Sequence, residues 1–174
     1  MELTLTYIIS QIFVVGMYAT LAITYFLKDI KKILIFNLLG SVFIGIAYFL
    51  LSAYTGLAMT FVAIFRNIIF LIYEKEDEKS IRSLIVIYLI IIVVTIPTYA
   101  GFLSLLSVFA TALFTFSLWQ KKTIVYKILG IPVSLLWVFY NIYIMSLFGI
   151  LLESGIIVFA IVGFIIELKR RSRI

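Results

Sequence analysis

Seven apolar stretches, at residues 3–27, 33–51, 56–73, 81–97, 100–119, 124–147 and 149–168, fill nearly all of a chain of 174 residues. A helix needs roughly 20 mostly apolar residues, within a range of about 17–25, to cross a hydrocarbon core about 30 Å thick, and every stretch meets that length. The segments between them are too short to fold as a soluble domain. Nor could the chain hide its apolar surface in water. Of its residues 65% are hydrophobic and 13% charged, against about half and about a quarter in a soluble domain. The expected fold class is therefore all-α: a polytopic membrane protein with seven transmembrane helices. Only Glu2 precedes the first stretch as a charged residue. Lacking a basic flank and a small-residue cleavage site, that stretch reads as a span and not as a signal peptide.

The basic residues fix an expected orientation. Lys28, Lys31 and Lys32 follow the first stretch; Lys75, Lys79 and Arg82 the third; Lys121, Lys122 and Lys127 the fifth; Lys169, Arg170, Arg171 and Arg173 the last. The other breaks, near Tyr54, Thr98 and Phe148, hold no Lys or Arg. Cytoplasmic loops retain positive charge, so the N-terminus is expected outside and the C-terminus in the cytoplasm. Six spans would force one basic loop outside, and fusing the fourth and fifth stretches would ignore Pro97 and the Pro-Thr-Tyr-Ala-Gly turn signal. The formal charge of +6 then follows from topology. It forms no soluble basic face of the kind that binds nucleic acid. The acidic loop at 74–79 reads as a solvated connector, and the basic tail as a stop-transfer anchor.

The chain also repeats itself. Residues 19–27 (ATLAITYFL) align with 110–118 (ATALFTFSL), and each is followed by a lysine pair, Lys31-Lys32 and Lys121-Lys122, at an offset of about 91. Gly56 then matches Gly149, and Glu74 matches Glu167, at an offset of about 93. Two three-helix copies can share one orientation only if an extra helix separates them. The expected architecture is 3+1+3: a first triple-helix bundle at 1–75, a linker helix at 76–98, and a second bundle with the basic tail at 99–174. A pseudo-twofold axis would lie along the membrane normal, with a cavity between the bundles.

A charge at mid-membrane costs roughly 2.5–3.5 kcal/mol on insertion scales, so it calls for a role. Arg66 lies ten residues into the third stretch, roughly 15 Å deep. Glu153, four residues into the seventh, lies about 9 Å shallower, within reach of a long Arg side chain. Neither has a charged counterpart in the repeat, Arg66 falling near Phe159 and Glu153 near Thr60. The two are expected either to line a solute site or to clasp the bundles as a structural lock. Asn67, Asn37, Asn141 and Gln11 add amides, and Trp137, Tyr140, Tyr143 and Tyr48 add aromatic faces; such groups line cavities and also glue helices together. Tyr54, Tyr99 and Trp119 fall at span ends as interfacial anchors. Pro132, two residues after Gly130, removes a backbone hydrogen bond from the sixth helix and marks a hinge.

The chain contains no Cys and no His. That removes disulfides, thiolate chemistry, an imidazole base and His-ligated metal. No phosphate-binding Gly loop, metal-ligand cluster or nucleophile beside a base occurs. No enzymatic activity, cofactor or metal is expected.

The Arg66-Asn67 pair, the WVFYN segment from Trp137 to Asn141, Ser146, Gly149 and Glu153 make most of the chain resemble the YgjV family of small bacterial inner-membrane proteins. The resemblance implies a multi-pass protein of the bacterial inner membrane. That family is similar to the SWEET and PQ-loop group, which implies a 3+1+3 fold and membership of a group that includes sugar and amino-acid transporters and cargo receptors. This chain departs from the wider group: it has no Pro-Gln motif, and its only prolines are Pro97 and Pro132. Paired proline hinges and sugar as cargo therefore do not carry over. The expected function is a small facilitator or secondary transporter. Arg66, with Asn67 and Asn141, would meet a small polar or anionic solute, Trp137 and Tyr140 would supply aromatic walls, and Glu153 would close or neutralise the site. The alternative is a non-transporting membrane module, a receptor or complex subunit, with Arg66–Glu153 as a lock. The partners implied are the lipid bilayer and that solute, and a homo-oligomer is left open.

Overall fold

Inside a bilayer the backbone must satisfy its own amides and carbonyls, which leaves helices or closed barrels. This chain takes the first solution. The computed structural model describes residues 5–73 and 80–172. It contains α1 (Leu5–Thr24), α2 (Ile30–Leu50), α3 (Tyr54–Ile72), α4 (Ile81–Thr98), α5 (Leu105–Trp119), α6 (Thr123–Tyr143) and α7 (Leu147–Arg171). A 3₁₀ turn, Phe102–Ser104, leads into α5. Counting that turn with α5, the seven spans have 18 to 25 residues, or about 27–38 Å of helix, enough to cross a membrane. The acidic loop at 74–79, with Glu74 as the counterpart of Glu167, and Arg173 in the tail lie outside the described residues.

Among the boundaries that differ from the sequence reading, three have a clear local reason. α6 stops at Tyr143 because Met145 adopts a left-handed φ of 55°. The Ser146 N–H then donates back to the Asn141 carbonyl at 2.9 Å, a Schellman-type cap. No Gly announces this cap. The same cap closes α2, where Ser52 has φ 54° and the Ala53 N–H donates to the Tyr48 carbonyl at 2.9 Å. The two caps are 93 residues apart. α5 begins late, after Gly101 at φ 99° and the 3₁₀ turn. α7 runs on through Lys169, Arg170 and Arg171, cations that the negative end of the helix dipole favours.

The helices close into a ring: α1 packs on α2, α2 on α3, α3 on α5, α5 on α6, α6 on α7, and α7 on α1. α4 stands outside it against α3 and α5 and buries only the narrow stripe Leu84, Ile87 and Ile91. Polarity is the reverse of a soluble protein. Ser10, Thr24, Asn37, Asn67, Ser107 and Thr115 are buried, while Phe61, Phe65, Val93, Ile96 and Leu151 are exposed. Lipid-facing apolar surface with polar groups facing the helix interior is the pattern a bilayer selects. Below, the basic end is the end of the ring carrying Lys28, Lys122 and Arg170.

Candidate functional site

A cavity of about 80 Å³ lies within the ring. It has room for roughly half a dozen waters or one small solute. All six ring helices line it, and α4 does not. α1 gives Tyr18 and Thr20, α2 gives Asn37 and Ser41, and α3 gives Thr60 and Arg66. Across the ring, α5 gives Thr111 and Phe114, α6 gives Ser134 and Trp137, and α7 gives Glu153. The lining is partly duplicated: Gly40, Ser41 and Ile44 recur 93 residues on as Val133, Ser134 and Trp137, and Thr60 recurs as Glu153.

Arg66 is 2% exposed. Its Nε and Nη2 donate to Asn67 Oδ1 at 3.3 and 3.2 Å, and Nη1 donates to Thr115 Oγ1 on α5 at 3.3 Å. The guanidinium carbon stands 5.0 Å over the Phe114 ring. A guanidinium has five N–H donors, so these contacts leave two unused. No carboxylate among the described residues lies within ion-pair distance of it.

Glu153 is 1% exposed, with Tyr18 and Ser134 beside its carboxyl group. Its Oε2 has no hydrogen-bond partner, and neither does Nδ2 of Asn37 in the same cavity. α3 and α7 start at equivalent positions, Tyr54 and Leu147. Arg66 is twelve residues into its helix and Glu153 six into its own, so their levels differ by about 9 Å. The side chains line one cavity without closing that gap.

Of the other expected site residues Trp137 lines the cavity, while Asn67, Asn141, Tyr140 and Pro132 stand outside its lining. Asn67 is fully buried and grips Arg66. Asn141 donates through Nδ2 to the Tyr18 hydroxyl at 3.4 Å, and its amide packs where any side chain at Gly149 would sit. Tyr140 accepts from the Gly56 N–H at 2.8 Å and packs edge-on against Tyr48 and Trp137, with ring centroids 6.0 and 5.6 Å away. It also lines a recess at the end opposite the basic residues, beside Thr55, Thr98 and Tyr143. Tyr140 thus partitions that recess from the cavity. Pro132 lies within an α6 that continues unbroken through it.

Sequence reasoning missed Tyr18, Ser134 and Thr115. Ser134 was within reach, since it is Ser41 shifted by the 93-residue offset. It also missed a second charge cluster. Lys127, grouped with the basic loop by sequence, is 1% exposed and pairs with Glu167 Oε2 at 3.2 Å. Glu167 also meets Arg170 at 3.3 Å, Arg171 at 3.5 Å and the Thr123 hydroxyl at 3.1 Å.

Membrane-length helices closed in a ring around a charge-bearing cavity define a polytopic helical membrane protein. The family model Imp-YgjV, described as bacterial inner membrane protein, matches residues 8–171, and the chain belongs to that family. No curated protein and no solved structure matches it.

Proposed function

We propose that the protein is a small-solute facilitator or secondary transporter, and not an enzyme, with its site in the cavity inside the six-helix ring. One observation carries the reading: Arg66 and Glu153 are both buried in the same cavity, unpaired with each other, and Glu153 Oε2 has no partner. Buried charge that serves only the fold is normally paired and hydrogen-bonded. The rival reading, a clasp between these two residues, has no ion pair to rest on. The architecture supports alternating access by two related halves. Contacts α1–α2–α3 mirror α5–α6–α7, the crossings α3–α5 and α7–α1 are exchanged by the same mapping, and the caps at Ser52 and Met145 are equivalent. In this reading α4 is the linker of a 3+1+3 fold, and the basic end faces the cytoplasm.

The test uses the absence of native Cys. Ser41→Cys and Ser134→Cys, at equivalent wall positions, are each exposed to a membrane-impermeant maleimide in right-side-out and inside-out vesicles. A transporter labels from both sides as it cycles. Failure to label from either side, in folded protein, refutes transport through this cavity.

A further inference from the structure

We infer that the solute is a small zwitterion, bound with its anionic group on Arg66 and its cationic group on Glu153. The inference rests on the cavity being a solute site. It follows from comparing what each charge class would leave unsatisfied. A neutral solute leaves a buried guanidinium and a buried carboxylate both without counter-charge. An anion satisfies Arg66 but shares a cavity of about 80 Å³ with a carboxylate. A cation has the converse problem. A zwitterion supplies a counter-charge at each end, uses the spare donors of Arg66 and gives the unpartnered Glu153 Oε2 an ammonium donor.

The geometry fits a ligand with separated charges. The two residues sit about 9 Å apart in level along the membrane normal, on α3 and α7, and Ser41, Thr60, Thr111 and Ser134 line the cavity with them. Arg66 is already steadied by Asn67, Thr115 and Phe114, so it is preorganised for a planar, two-oxygen anionic group such as a carboxylate. Tyr48 and Trp137, stacked with centroids 6.1 Å apart, put aromatic rings in the cavity wall, the side-chain type that attracts an ammonium.

The experiment measures binding to the purified full-length protein by thermal stabilisation and calorimetry. The probes are glycine, β-alanine and 4-aminobutyrate, with acetate, propionate and methylamine as single-charge controls. The expected result is that one member of the zwitterion ladder binds, and that the controls bind weaker by about 30-fold or more. Glu153→Gln should erase the preference for zwitterion over acid, and Arg66→Gln the preference over amine. Glu153→Asp, which keeps the charge but draws it back by one methylene, should shift the optimum to a longer zwitterion, an effect a purely structural role would not produce. Acids that bind wild type as tightly as any zwitterion, with Glu153→Gln neutral or tighter, would overturn the zwitterion and leave the solute site standing. No binding by any probe would also overturn it. Maleimide labelling at Ser41→Cys and Ser134→Cys then decides separately whether the transport reading survives.

Discussion

Replacing Arg66 with Met separates a residue that binds from a residue that braces. The substitution keeps length and removes the charge. Asn67 Oδ1 then loses its donors, which costs about 1–3 kcal/mol for a buried orphan acceptor. The contact with Phe114 adds about 1 kcal/mol. Against this, removing an Arg from the middle of a spanning helix relieves roughly 2.5–3.5 kcal/mol. The sums nearly cancel, so stability should change by no more than about 1.5 kcal/mol. Glu167→Met is the contrast. It strands Lys127, 1% exposed, without its carboxylate, and breaking a buried pair in this way costs about 3–5 kcal/mol. At about 2–4 °C per kcal/mol for a chain of this size, that is a fall of about 6–20 °C. Thermal unfolding in detergent, followed by the fluorescence of Trp119 and Trp137, reads both variants. If Arg66→Met lowers the midpoint as far as Glu167→Met does, Arg66 is a brace and the reasoning fails.

Three further outcomes can be checked with simple variants. A Cβ at Gly130 would fall on the Tyr25 hydroxyl, and one at Gly163 on the Tyr25 backbone carbonyl, while one at Gly155 meets nothing within 4 Å. Thermal unfolding should therefore show Gly163→Ala and Gly130→Ala destabilised by about 1–3 kcal/mol or more, the former most because backbone cannot move aside, and Gly155→Ala unchanged or up to about 1 kcal/mol more stable. Met145→Gly relieves a left-handed backbone worth about 1–2 kcal/mol at an entropic cost of about 0.5–1, so the melting point should rise; a fall would contradict the cap assignment. For orientation, exposed Ser52→Cys should react with an impermeant maleimide on intact spheroplasts and exposed Lys28→Cys only after permeabilisation. The opposite pattern would invert the topology.

The number and type of spans were legible because they depend on apolar length, which no tertiary contact can mask. Arg66 was conspicuous for the same reason: a lone cation deep in an apolar run has no innocent explanation in sequence. Helix ends were harder to read. Met145 takes a conformation usually given to Gly, and only the hydrogen bond from Ser146 to Asn141 reveals it. Side-chain pairing was the least visible. Lys127 looks like any loop lysine until Glu167, forty residues away, is brought against it. Arg66 and Glu153, close enough by helical rise to suggest a pair, form no ion pair. Arg66 is hydrogen-bonded instead to Asn67 and Thr115. Rise along an axis sets depth but not azimuth, and azimuth decides which polar groups meet.

The same contacts bear on how the two ends of the cavity are bounded. Aromatic side chains lie at both. Toward the basic end, Tyr25 and Phe114 form its floor, with Tyr126 packed against both at centroid distances of 5.4 and 5.5 Å. Thr24 spends its only proton on the Leu21 carbonyl, so the Tyr126 hydroxyl must donate to Thr24, at 2.6 Å. Next to Tyr126, Lys127 ties α6 to α7 through Glu167. Toward the opposite end, the layer of Tyr48, Trp137 and Tyr140 carries the bond from the Gly56 N–H to Tyr140 and the longer contact from Asn141 to Tyr18, with Phe148 N–H donating to Gln11 and Tyr143 to the Ala100 carbonyl beyond it. Of these contacts, Thr24–Tyr126, Gly56–Tyr140 and Asn141–Tyr18 join the two related halves, each a neutral hydrogen bond worth about 1 kcal/mol, whereas the Lys127–Glu167 pair lies within the second half and stays whole when the halves part.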